Sequence, residues 1–198
     1  MNKLIIFLYF FMLYACNNSQ ETADSSSSES QPISQVKKDL PSLLSRVTQL
    51  EDSITKEVTK NPDKRIGSFV FLDLINRLKD VISNYPTAPE SASCLFKLHM
   101  KYGEMKGYKE SIAYGDTLLQ RFPDFKDRDL VLQSIATTYD IWIKPRDANK
   151  VGAYLSKLLE SRTLSESEKN EIKNRLKYIH LDVFAYSLKI NKSKTTSR

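Results

Sequence analysis

Glycine and proline are scarce in this chain, at five and seven among 198 residues. A fold made of many strands needs frequent tight turns built from those residues. Their scarcity argues against an all-β fold and for helices. Cysteine is scarcer still. Cys16 and Cys94 allow one disulfide at most, so no disulfide framework holds the fold. The two histidines, His99 and His180, have no cysteine or carboxylate at metal-ligand spacing and read as structural or surface residues. No glycine-rich phosphate loop, nucleophile elbow or HExxH motif occurs. With no catalytic constellation, the expectation is a protein that is not an enzyme and holds no metal. Trp142, the one tryptophan, stands between Ile141 and Ile143 and reads as a core residue, with a partner hot spot as the alternative. Carboxylates such as Glu104 and Glu110 read as solvated helix faces.

One long uncharged run is present. Leu4 to Ala15 follows Lys3 without a charge. As a helix it would span roughly 18 Å, short of the about 30 Å of a bilayer core. Its length suits the apolar region of a signal peptide. The boundary Leu13-Tyr14-Ala15-Cys16 resembles the bacterial lipobox. That resemblance implies cleavage after residue 15 and a covalent lipid on Cys16, with no other cofactor. Tyr14 departs from the small residue usual at its position. The next stretch, "NNSQETADSSSSESQP", has no large apolar residue and no basic one. It cannot bury enough surface to offset its ordering entropy, so residues 16–36 read as a lipidated cysteine and flexible tether. By the familiar sorting rule Asn17 implies the outer membrane, with the periplasmic and cell-surface leaflets both open.

Residues 37–188 have the size of one domain. The last ten residues hold Lys189, Lys192, Lys194 and Arg198 and no acid. Residues 189–198 therefore read as a basic disordered tail, with contact to anionic lipid or an acidic partner as the functional alternative. Nucleic acid is a poor fit to an exported, lipidated chain.

The body contains a repeat. Pro86 and Pro123 lie 37 positions apart, and at that offset Leu95 meets Leu132, Leu98 meets Ile135, and Tyr102 meets Tyr139. A weaker third copy pairs "AYGDTLL" at 113–119 with "AYLSKLL" at 153–159. Apolar residues at Cys94, Leu95, Leu98 and Tyr102 follow a helical period. Gly107 falls in the loop between two helices, where its backbone freedom is useful. A single helical hairpin cannot bury its own apolar stripe, whereas stacked hairpins can. At the front, Leu40, Leu43, Leu44, Val47, Leu50, Ile54 and Val58 predict a long helix, read as a cap on the array with a coiled-coil seam as alternative. At the back, Ser165-x-x-Glu168 is a capping-box pattern. Ile172, Leu176, Ile179, Val183 and Tyr186 then predict one terminal capping helix.

This pattern resembles the tetratricopeptide repeat, a helix–turn–helix unit of about 34 residues. Leu95 stands in the tryptophan place, Leu98 in the leucine, His99 in the glycine, Tyr102 in the tyrosine, Ser111 in the second-helix alanine and Pro123 in the closing proline. His99 is bulky where the family keeps a small residue, and Ala136 restores it in the next repeat. The resemblance implies an all-α helix–turn–helix repeat solenoid with flanking capping helices. It also implies a partner-binding groove lined by Phe96, Met100 and Glu104 and by their counterparts Gln133, Thr137 and Ile141. The lipobox, tether and repeat ends "NYPTAPESA" and "RFPDFKDRD" together resemble outer-membrane lipoproteins of the BamD type, which serve in β-barrel assembly. That implies a membrane-anchored protein–protein interaction scaffold in the bacterial envelope, with a β-barrel assembly component as partner. The alternative is an envelope accessory protein that binds peptidoglycan or another glycan.

Overall fold

The computed structural model describes residues 39–61 and 68–196. The expected signal peptide, lipidated Cys16 and tether lie outside the described residues. Among the described residues there are eight α-helices and no strand, so they form an all-helical fold. No helix among them is long and apolar enough to cross a membrane.

Side-chain caps start four of the described helices. Helix α1 (Leu40–Lys60) begins where the Asp39 carboxylate accepts from the Ser42 amide at 3.0 Å, with Pro41 in its first turn. Helix α2 (Ser68–Asn84) leads to the Pro86 turn and to α3 (Pro89–Glu104). Helix α4 (Tyr108–Arg121) leads to the Pro123 turn and to α5 (Arg128–Thr137). Helix α5 continues as a π-helical turn, Thr138–Trp142. Helix α6 (Ala148–Leu159) starts where Asp147 accepts from the Lys150 amide at 2.9 Å. Helix α7 (Glu166–Lys177) carries the predicted capping box of Ser165 and Glu168. Helix α8 (Val183–Thr196) starts at Asp182, which accepts from the Ala185 amide at 2.8 Å.

The 37-residue offset is visible in hydrogen bonds. Tyr85 N–H donates to Val81 O at 2.9 Å, and Phe122 N–H donates to Leu118 O at 2.9 Å. Ala88 N–H donates to Tyr85 O, and Phe125 N–H to Phe122 O, both at 3.1 Å. Stacked tyrosines repeat as well: Tyr102 lies on Tyr114 with centroids 5.4 Å apart, and Tyr139 lies on Tyr154 at 5.9 Å.

Two aliphatic clusters form the interior. Leu43, Val47 and Leu50 of α1 pack with Leu74, Ile75, Leu78 and Val81 of α2 and with Leu98 of α3. One face of α1 thus packs against α2 and α3. The second cluster joins Leu95 of α3, Ile112 and Leu118 of α4, Val131, Leu132 and Ile135 of α5, and Val151 and Leu155 of α6. Helix α3 faces both clusters, and Ile82 and Tyr114 pack against both. Cys94 is buried in the first, and burial pushes its thiol up to about 11.

Three expectations change. The single terminal helix is two, α7 and α8, because the chain turns at Tyr178–Asp182. The basic tail expected to be disordered continues α8 to Thr196. Residues 183–196 contain no glycine or proline to stop the helix. In the α3–α4 loop the left-handed residue is Lys106, at φ 62, while Gly107 sits at φ −79. Gly107 matters for closeness instead, since a Cβ there would stand 3.0 Å from the Tyr102 ring.

Candidate functional site

The α3–α4 hairpin and α5 meet at one polar point. His99 on α3 is 1 % exposed. Its Nδ1 lies 2.9 Å from the Ser111 carbonyl, which only accepts, so Nδ1 carries the proton. Its Nε2 then accepts from Ser134 Oγ of α5 at 3.0 Å. Ser111 Oγ donates to the His99 carbonyl at 2.8 Å. Burial lowers the pKa of His99, so the ring is held neutral. The bulk that the repeat pattern disfavours on α3 is accommodated on α4. A Cβ on Gly115 would stand 2.9 Å from His99 Nδ1 and 2.8 Å from Ile135 Cδ1. The small residue has changed helix.

Above this point a cavity of about 420 Å³ opens to solvent between α3, α4, α5 and the π turn. His99, Ser111 and Ser134 line its floor, and Met100 and Leu130 its apolar sides. Glu104, Gln133 and Thr137 add polar groups. Glu104 accepts from Lys101 Nζ at 2.9 Å. At the lip Tyr108 stacks on Trp142, with centroids 5.5 Å apart and rings 11° from parallel.

Four of the six residues named for a groove, Met100, Glu104, Gln133 and Thr137, therefore line one cavity. Phe96 and Ile141 do not. Phe96 packs against the second cluster, with its ring 5.5 Å from Phe125 of the α4–α5 loop. Ile141 is displaced by the π turn. Ile143 N–H donates to Thr138 O at 3.0 Å, a bond spanning five residues rather than four. Counting from Gln133, the groove positions run to Thr137 and then to Trp142, not Ile141. The same slip corrects the reading of Trp142 as a core residue. It is 54 % exposed and forms the lip. No sequence signal marks the π turn, so the Tyr108–Trp142 stack was not legible in advance.

The Ser134–His99 pair has the hydrogen bond of a nucleophile and its base. Ser134 sits inside α5, where the neighbouring backbone N–H groups serve the helix. The pair fastens three helices. Among the described residues no three His, Cys, Asp or Glu side chains converge as metal ligands would. His180 is exposed.

A second polar cluster lies on the far side of the π turn. The buried Asp140 carboxylate accepts from Arg146 Nε at 2.5 Å and from Arg175 at 2.8 and 3.0 Å. Arg146 also donates to Ile179 O at 2.8 Å, and Arg175 to Tyr178 O and Leu181 O at 2.9 Å each. One carboxylate thus ties the π turn to the α7–α8 turn.

No family model matches the chain, and no curated protein or solved structure matches it significantly.

Proposed function

We propose that this chain is a non-enzymatic interaction scaffold, a tetratricopeptide-like repeat lipoprotein held to the outer membrane of a bacterial envelope by lipid on Cys16. In this reading α1–α2, α3–α4 and α5–α6 are successive hairpins, and the groove over α3 and α5 captures a segment of an envelope protein. The observation that carries it is the groove itself, a solvent-open cavity that pairs apolar Met100 and Leu130 with a stacked aromatic lip. Exposed aromatic side chains in such settings act as anchors. The bond-for-bond recurrence at 37 residues supports the repeat reading. The resemblance to BamD-type lipoproteins makes the β-barrel assembly machinery the first partner to seek.

The test is in-cell crosslinking of the full chain, with mass spectrometry of co-purifying proteins, for the native sequence and for Met100→Asp/Trp142→Ala. The expected result is one envelope protein enriched by the native chain and lost from the variant at unchanged helicity. Undiminished capture by the folded variant would sink the groove assignment.

The exposed Trp142 indole favours a second reading, in which the groove takes a glycan strand. Retention on purified sacculi that is lost with Trp142→Ala, without loss of helicity, would select it.

A further inference from the structure

The π turn, Thr138–Trp142, carries two side chains that act in different places. Trp142 is half-exposed, stacks on Tyr108 and forms the lip of the groove. Asp140, two residues before it, is buried and holds Arg146 and Arg175. A π turn is rare, and a helix does not keep one without cause. Residues 138–142 contain no glycine or proline that would interrupt the α-helical bond pattern. The cause therefore lies in what the side chains of the turn touch.

Three contacts act on the turn. The Tyr108–Trp142 stack lies at the solvent-exposed lip. Tyr139 stacks on Tyr154 of α6, with centroids 5.9 Å apart. Ring pairs of this kind accept a range of offsets, so both stacks can slide. The Asp140 carboxylate cannot. It accepts from Arg146 Nε at 2.5 Å and from Arg175 at 2.8 and 3.0 Å. Both guanidinium groups are fixed from elsewhere, Arg146 by the Ile179 carbonyl and Arg175 by those of Tyr178 and Leu181. If the turn rewound, the carboxylate would leave while its partners stayed. Buried charges would then stand unpaired, the costliest of the three losses.

We propose that Asp140 is the positioning residue of the groove. Its bonds to Arg146 and Arg175 keep the π turn wound as it is, and so hold Trp142 instead of Ile141 at the lip. This rests on the groove reading above and adds to it a dependence on the C-terminal end. Through Arg175 the α7–α8 turn takes part in shaping a cavity that it does not line.

Trp142 is the single tryptophan of the chain. Excited selectively, its emission and its quenching by iodide report on the lip alone. The full chain is compared with Asp140→Asn and Arg175→Gln, with Tyr108→Leu as the reference for an unstacked lip. The expected result is that Asp140→Asn moves both signals away from the native values at unchanged helicity, and that Arg175→Gln moves them in the same direction. Tyr139→Leu should leave them native. A purely structural Asp140 would lower the urea midpoint and leave the indole signals of the folded state unchanged. Native signals in folded Asp140→Asn overturn the proposal. If that variant does not fold, native signals in Arg175→Gln overturn it. A displaced indole with undiminished crosslinking to the partner leaves the positioning role standing and overturns the reading of the lip as an anchor.

Discussion

The centre of the molecule and its C-terminal end are held together by different forces. Helices α3 to α6 share an aliphatic interior in which Leu95, Leu118, Val131, Leu132 and Ile135 are fully buried. Helix α7 buries no residue completely. Its attachment comes from partial packing of Ile172, Leu176 and Ile179 and from the Asp140–Arg146–Arg175 cluster. The centre is held by non-directional burial that tolerates small shifts. The end is held by a few directional bonds that fail together, so one atom group there carries what many carry in the centre.

The sharpest way to break that contrast is Asp140→Ala. It strands two largely buried guanidinium groups and should cost about 3–5 kcal/mol. In hydrogen exchange, amides of α7 and α8 should lose protection first while those of α3 and α4 keep theirs. Uniform loss along the chain would show that the end is not separately held. Leu98→Ala makes the opposite break, inside the first cluster, where α3 packs against α1 and α2. It should cost about 2–5 kcal/mol and lower protection in α1 to α4 together, read by urea titration and exchange.

Gly115→Ala comes next. Its new methyl would press on His99 and Ile135, and overpacking of this kind costs about 1–3 kcal/mol. The variant should show a lower urea midpoint with an unchanged slope.

The His99 junction should also make the centre acid-sensitive. Burial holds the folded pKa below the ordinary 6.5, so the unfolded chain takes up the proton first as pH falls. This contribution is complete above about pH 6.5 and is lost as pH drops toward the lowered folded value. His99→Gln should flatten that part of the stability–pH curve, measured by urea midpoints across the range. Trp142→Ala should have the smallest effect on stability, at most about 1.5 kcal/mol for a lost aromatic pair, while removing the groove's lip.

How much of this was legible in the sequence depends on whether the signal is local. The Pro86 and Pro123 turns and the Ser165–Glu168 box are settled by neighbours in sequence, and the helical content follows from periodicity, which left α1 open between a cap and a coiled-coil seam. The α7–α8 break was hidden because Tyr178–Asp182 contains neither glycine nor proline, and it depends on Arg175 donating to carbonyls of that turn. The accommodation of His99 was hidden because the compensating glycine lies on another helix. Within the groove, Met100, Glu104, Gln133 and Thr137 came from the register that the resemblance to the tetratricopeptide repeat implied. Ile141 failed at the point where the spacing stops being regular, and Phe96 failed because the α4–α5 loop covers it.

The π turn works like a shifted reading frame. Upstream of it the helix side facing the groove is spelled every fourth residue, and downstream the same side is spelled one letter later. Were the turn to rewind to a regular α-helix with no residue removed, the indole would move about 100° around the axis and Ile141 would take the lip. Removing one residue between Thr138 and Asp140 would instead leave the indole in place, as the fourth residue after Thr137. The groove's chemistry, aromatic or aliphatic, is therefore set by the pitch of one turn of backbone as well as by the side chains along it.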